Sequence, residues 1–576
     1  MYNATFMNPP SYSDGVQYTN PDPYLLHYFG TYYCYSTDEQ GVKLSISKDM
    51  VHWVFHSYCY QELGRCSYWA PCVIYRNGTF FMYVSTRPAG TTDPHLQRMR
   101  VATSDSPTGP FVFHNQMLDS FAIDADVCTG QDGVTVMFYA SNELTERYSG
   151  RLGTSVVVDI MPDPYSLLGK PKPVIMPSND QEIFQVNRFG DGRDWYTIEG
   201  STYFETDRYA YQTYSGNAYE NPDYFIGLAR AKKAPSLYDL EWEKIGSGEE
   251  DAPLIKQNSL IEGTGHNSII RGPNLIDRWI IYHGRDRNIE RNRHEEQRLL
   301  YIDRILDTDN IVTTPAPLSE PQRVPEPPTF QGDETGVSLN RKLLGTDLDD
   351  FCCEIYMRSD CANDNDVKYS IEVMAESRVL ARFEINTSGI AYVSSSYEVK
   401  KDLPFSIPVD LQCWQPWRIE RKQSAIQLYL AQVKMAEVPD KSHPEKVSVI
   451  ASTSGNAEVG YWRLTEFSDY RCQALQQALC QKPGVELRAN GKDSSSALTF
   501  KQSGTLRFEL MFNVSTPPPI KIHGEELYRQ FLNVKDYSVW SIVARGNALK
   551  PIQLTSDFSD LICCRVTKIA SSSTRC

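Results

Sequence analysis

Three carboxylates in this chain stand where a strand begins. Asp22 lies between Pro21 and Pro23 in NPDPY, Asp124 lies in FAIDADV, and Glu199 lies in YTIEGSTYF. Proline fixes its own φ and disfavours helical geometry in the residue before it, so Asp22 is expected to be extended and stiffly held. Carboxyls anchored on separate strands can divide acid and base work, provided their surroundings push their pKa values apart. Alone, an Asp ahead of a strand is an ordinary turn former and a Glu before Gly an ordinary exposed residue. Recurrence argues for chemistry, because the three acids occupy matching places in a repeat. Two further residues share that place. Trp69 in SYWAP is either an apolar wall or a core side chain, and His266 in EGTGHNS is either a channel residue or a structural one.

The repeat is a hairpin. YLLHYFGTYYCYST, VIYRNGTFFMYVST, VCTGQDGVTVMFYAS, STYFETDRYAYQTYSG and SIIRGPNLIDRWIIYHG each read as strand, polar turn and aromatic or β-branched strand. Asn77-Gly78 and Asp132-Gly133 are hairpin-turn dipeptides. A further strand-like segment follows each hairpin, and the unit recurs at roughly 50 to 75 residues. Five such units predict an all-β, five-bladed propeller over residues 1–315. The proline-rich TTPAPLSEPQRVPEPPTFQG reads as a linker, residues 316–332. Alternating segments such as YSIEVMAESRVLARFEI then predict a β-sandwich at residues 333–468. The β-rich remainder, 469–576, reads as a second sandwich or an extension of the first. The mixed-sign run HGRDRNIERNRHEEQR is expected to be a solvated loop or hairpin.

Composition narrows the partners. Hydrophobic content of 41% and charged content of 22% suit a globular chain. A net charge of -15 argues against nucleic acid, whose affinity rests on neutralising phosphates. No apolar run is long enough to span a bilayer, and no basic region followed by an apolar one opens the chain, so neither a membrane partner nor a signal peptide is expected. The 14 cysteines include no C-x-x-C spacing, which points to free thiols in a reducing, cytoplasmic setting. The 35 tyrosines and 9 tryptophans favour strands first and sugar-stacking surfaces second.

The ordered set NPDPY, WAP, FAIDADV, IEGSTYF, GTGHNS and YHGRD resembles glycoside hydrolase family 43, the five-bladed propeller glycosidases, across essentially all of the first 315 residues. The resemblance implies an inverting hydrolase. Asp22 would be the general base that activates water, Glu199 the general acid, and Asp124 the residue that orients the acid and holds its pKa up. IDAD lacks the proline that the family more often has after the aspartate, which leaves Asp126 as the alternative; the motif register favours Asp124. The resemblance further implies Trp69 beside the sugar, Arg285 of YHGRD as a substrate contact or an ion-pair partner, and His266 as an axial histidine. In some members that histidine lies near a channel calcium ion or water. No cofactor is required, and a calcium ion here would be water-rich, because the sequence has no acidic calcium loop. Among the family's activities, an exo-acting α-L-arabinofuranosidase on arabinoxylan or arabinan is expected. The alternatives are a β-xylosidase and a non-catalytic carbohydrate-binding propeller. The sandwich is expected to pack on the propeller and close the pocket rim, or else to bind carbohydrate itself.

Overall fold

The computed structural model describes residues 5–466 and 485–569, except 246–252, 291–294, 308–311, 315, 320–321, 339–340, 361–367, 395–400, 423–424, 441–444, 490–495, 501–503, 513, 515–517, 535–536, 547–551 and 559–560. Among them the only α-helix is the single turn Thr145–Ser149. Five antiparallel four-stranded meanders follow one another along the chain. Their first strands are Tyr24–Tyr28, Arg65–Arg76, Ile123–Thr129, Trp195–Glu205 and Ile261–Arg271. Each first strand touches the first strands of the two neighbouring meanders, so the five close into a ring. This is the expected five-bladed propeller.

The aromatic strands have a packing reason. In a propeller both faces of a blade are covered, so its strands read as continuous apolar runs rather than alternating ones. TFFMYVST in blade two shows this. Phe80, Met82 and Val84 enter the slab shared with blade one, while Phe81 and Tyr83 enter the slab shared with blade three. Three further slabs fill the spaces between blades three and four, four and five, and five and one.

The segment after blade five is not a free linker. Gln322–Arg323 pairs with Thr5–Phe6 at the other end of the propeller sequence. Asn8 donates to the carbonyls of Ile302 and Leu318, and Leu318 and Val324 are buried. Prolines here keep an extended strap against the ring, a role that composition alone does not distinguish from a spacer.

Two six-stranded sheets spanning Phe330–Glu466 form the first sandwich, around one large core that includes Trp417, Phe383 and Ile419. The polar stretch that follows lies outside the described residues. Two four-stranded sheets between Val485 and Ile569 then form a smaller β unit, with Phe508, Leu510 and Ile542 in its core.

The first sandwich sits against the turns of the first hairpin in every blade. Asn77 of the Asn-Gly turn donates to the Pro408 carbonyl and accepts from the Asp410 amide. Gln131 bonds both ways with the strand turn at Gln432 and Lys434. Asp207 pairs with Lys422 at 2.6 Å. Phe29 packs on Trp414 and Tyr356. Arg463 reaches Tyr32, the Gly272 and Pro273 carbonyls and Glu354, closing a buried junction between blades one and five. Gly133 is required here: its φ is +81°, and a Cβ would collide with the Ser406 carbonyl.

Candidate active site

The opposite ends of the first strands, where each enters the ring, share one backbone device. Asp22, Ala70, Asp124, Gly200 and His266 all have left-handed φ, at +52°, +44°, +60°, +58° and +39°. In blades two to five a bulge in the pairing with the second strand accompanies it. Bulges re-aim side chains, and a non-glycine residue held left-handed costs about 1–2 kcal/mol, which the surrounding contacts must offset. Two expectations are corrected. Asp22 is left-handed rather than extended, despite Pro23. Glu199 does not occupy the place of Asp22 and Asp124: Gly200 does, and Glu199 stands one residue earlier, matching Trp69.

These strand entrances surround a cavity of about 220 Å³ lined by Asp22, Trp69, Asp124, Glu199, His266 and Arg298, with loop residues closing its sides. Among the described residues none of the sandwich lines it. The sandwich therefore does not close the pocket rim, because it is attached to the far end of the ring.

Asp22 is built as an anion. Thr37 Oγ1 donates to Asp22 Oδ2 at 2.6 Å and itself accepts from the Ala70 amide. Arg298 Nη1 donates to Asp22 Oδ1 at 3.0 Å, while its other nitrogens grip Glu296 bidentately. Burial raises the Asp22 pKa, but Arg298 above all, followed by His266, outweighs it and holds the carboxyl well below the usual range. His283 accepts from the Asp22 amide through Nδ1, and burial pushes its own pKa down to about 4, so it acts as a neutral acceptor rather than an ion partner.

Glu199 is built as an acid. It is half-buried on the cavity wall, and desolvation followed by repulsion from Asp22 pushes it up to about 7 against the hydrogen bond from Tyr224 at 2.7 Å. Asp124 accepts from the Gly200 amide at 2.9 Å. Burial and then Glu199 and Asp22 push it well above the usual value too. The repulsion thus acts on both members, and the Asp124–Glu199 pair titrates as a unit that retains a proton at neutral pH. His266 Nδ1 stands between blades, 3.5 Å from Asp22 and 3.9 Å from Asp124.

The alternative aspartate faces elsewhere. Asp126 accepts from the Tyr203 amide at 2.7 Å and is absent from the cavity wall. Arg285, expected at the substrate, also stands outside the cavity. Its guanidinium donates to the carbonyls of Tyr219, Glu220 and Asn221 and so holds the loop that carries two cavity residues. The arginine that pairs with Asp22 at the site is Arg298, which lies in the run read as solvated yet is buried. Thr37, Tyr224 and the loop residues His95, Arg188 and Trp195 were not legible as site residues. For Arg298 a signal existed: it immediately precedes the strand Leu299–Asp307.

Among the described residues no group of three or more His, Cys, Asp and Glu side chains is arranged to hold a metal ion. His266, the expected neighbour of a channel calcium, faces Asp22 and Asp124.

The family model described as glycosyl hydrolases family 43 matches residues 16–310. No curated protein matches the chain. Among solved structures, the chain is similar to a thermostable family-43 glycoside hydrolase, with 26% identity over 56% of this chain and 99% of that one, TM-score 0.47. It is also similar to the family-43 BlXynB protein of Bacillus licheniformis, with 16% identity over 81% and 100%, TM-score 0.44. An α-L-arabinofuranosidase from Lactobacillus brevis gives 21% identity over 54% and 95%, TM-score 0.42.

Proposed function

Because the chain belongs to glycosyl hydrolases family 43, we propose that it is an inverting, exo-acting α-L-arabinofuranosidase that removes terminal arabinofuranosyl residues from arabinoxylan or arabinan. That it is a glycoside hydrolase with a carbohydrate substrate follows from the family. The observation that carries the catalytic part is the division of three carboxyls that line one small cavity. Asp22 is kept ionised, while the Asp124–Glu199 pair is kept partly protonated. One acid and one base in opposite states is the arrangement that glycoside hydrolysis needs.

In this mechanism Asp22 removes a proton from a water as its oxygen attacks the anomeric carbon. Glu199 gives its proton to the glycosidic oxygen as the bond to that carbon breaks. The enzyme ends with Asp22 protonated and Glu199 ionised, and exchange with solvent resets both. The small cavity at one end of the ring, with the sandwich on the other end, supports exo action. The eight free cysteines among the described residues support a reducing, cytoplasmic setting.

Substrate identity is tested with aryl α-L-arabinofuranosides against aryl β-D-xylosides, followed by sugar release from arabinoxylan and linear arabinan. A higher kcat/KM on the xylosides would reassign the enzyme as a β-xylosidase. Binding without release of either sugar would leave a non-catalytic propeller. Direct attack by water also fixes the stereochemistry. Proton NMR of the first-formed sugar should show the anomer opposite to that of the substrate, and a retained anomer or a trapped glycosyl-enzyme would contradict the mechanism.

Asp124→Asn should move the alkaline limb of kcat/KM to lower pH. Glu199 must be protonated to act, so activity falls as pH rises through its pKa. Ionising both members of the pair places two like charges together, which keeps the last proton on to higher pH. With the Asp124 charge deleted, Glu199 loses its proton earlier. Asp126→Asn should leave that limb in place, because Asp126 faces Tyr203 rather than Glu199. A limb that moves only in the Asp126 variant would reverse the assignment.

A further inference from the structure

The cavity wall on the Glu199 side carries a cation that the hydrolytic scheme does not use. Arg188 lies in the loop that leads into the strand Trp195–Glu205, which bears Glu199. Its guanidinium is framed by three rings: Phe184 at 4.7 Å, Trp195 at 5.0 Å and Phe189 at 5.6 Å to the ring centroids. No carboxylate among the described residues pairs with it. Asp93 is the acid whose charge acts on it, from beyond ion-pair distance; its Oδ1 caps the short 3-10 turn by accepting from the His95 amide at 2.9 Å. Beside it, His95 packs edge-on to Trp195 at 5.5 Å, and its Nε2 is shielded from solvent with no hydrogen-bond partner. A cation held flat by aromatic faces keeps its N–H edge free for a planar acceptor in the ring plane.

Resting on the reading of Glu199 as the acid that faces the leaving group, we infer that Arg188 forms a subsite for a carboxylate on the leaving-group side, one that favours uronosyl-bearing xylan chains over neutral ones. The chemistry fits a uronate in particular. Its carboxylate accepts the guanidinium fork bidentately.

Binding decides this without turnover. Calorimetry is run in the Glu199→Gln background with glucuronosyl-xylotriose and its methyl ester, which differ in charge but little in shape. The acid should bind about tenfold tighter than the ester, as one charge-assisted bidentate contact predicts. High salt should erode that ratio. Adding Arg188→Gln should bring the ratio to about one, and Arg188→Lys, which keeps the charge without the fork, should restore only part of it. An acid-to-ester ratio near one without the Arg188 change, or a ratio that survives Arg188→Gln, overturns the subsite. Failure of the unmodified protein to hydrolyse aryl arabinofuranosides would instead sink the arabinofuranosidase reading, and this binding ratio would still be measured.

Discussion

Glu199→Gln will lose about 100- to 10,000-fold in turnover of natural glycosides while retaining most of its activity on aryl glycosides with good leaving groups. A sugar alkoxide is a poor leaving group and needs a proton as the bond breaks; an activated phenolate needs little. Glutamine keeps the shape of the side chain and an oxygen to accept from Tyr224, so the cavity should stay intact. Loss through misfolding would therefore not discriminate between leaving groups. The measurement is kcat for a series of aryl glycosides plotted against the pKa of the leaving phenol. The variant should show a steep dependence where the unmodified enzyme shows a shallow one. Parallel lines would remove Glu199 from the role of acid.

Asp22→Asn will lose activity by about the same factor, but equally for every leaving group. The base acts on water, so the quality of the departing oxygen does not matter to it. The variant keeps an oxygen for Thr37, and Arg298 keeps both bonds to Glu296, which limits the structural damage. Because the Asp22 pKa is held well below the usual range, the unmodified enzyme should also keep its base ionised, and so its activity, to unusually low pH. An Asp22→Asn variant that spares the poor leaving groups, or that alters only KM, would show that Asp22 binds rather than activates.

Much of this architecture can be read from local chemistry. The hairpin dipeptides Asn77-Gly78 and Asp132-Gly133, and the doubly apolar strands between them, announce their geometry within a few residues. Asp22 and Asp124 announce themselves because each opens such a strand. What escaped depends on distance along the chain. Arg298 meets Asp22 across 276 positions, and nothing in its charged neighbourhood marks it as buried. Arg285 sits in the expected motif, yet the loop carbonyls that claim it are supplied by blade four. The one-residue offset of Glu199 is a matter of backbone handedness, since glycine takes the left-handed position in its blade. Loop residues such as His95 and Arg188 follow no period at all, so pattern reading passes over them.

The sandwich's grip on all five hairpin turns gives the ring a floor. If the action is exo, as proposed, the order of events follows. The severed monosaccharide would lie beneath the chain it came from, so the chain would leave first and the sugar second. A polymer cannot thread through such a vessel, so each cut is a separate encounter rather than a step along a track. On the proposed reading the last product to depart would occupy the same seat that the next substrate needs, which would make accumulated arabinose a competitive brake on the enzyme.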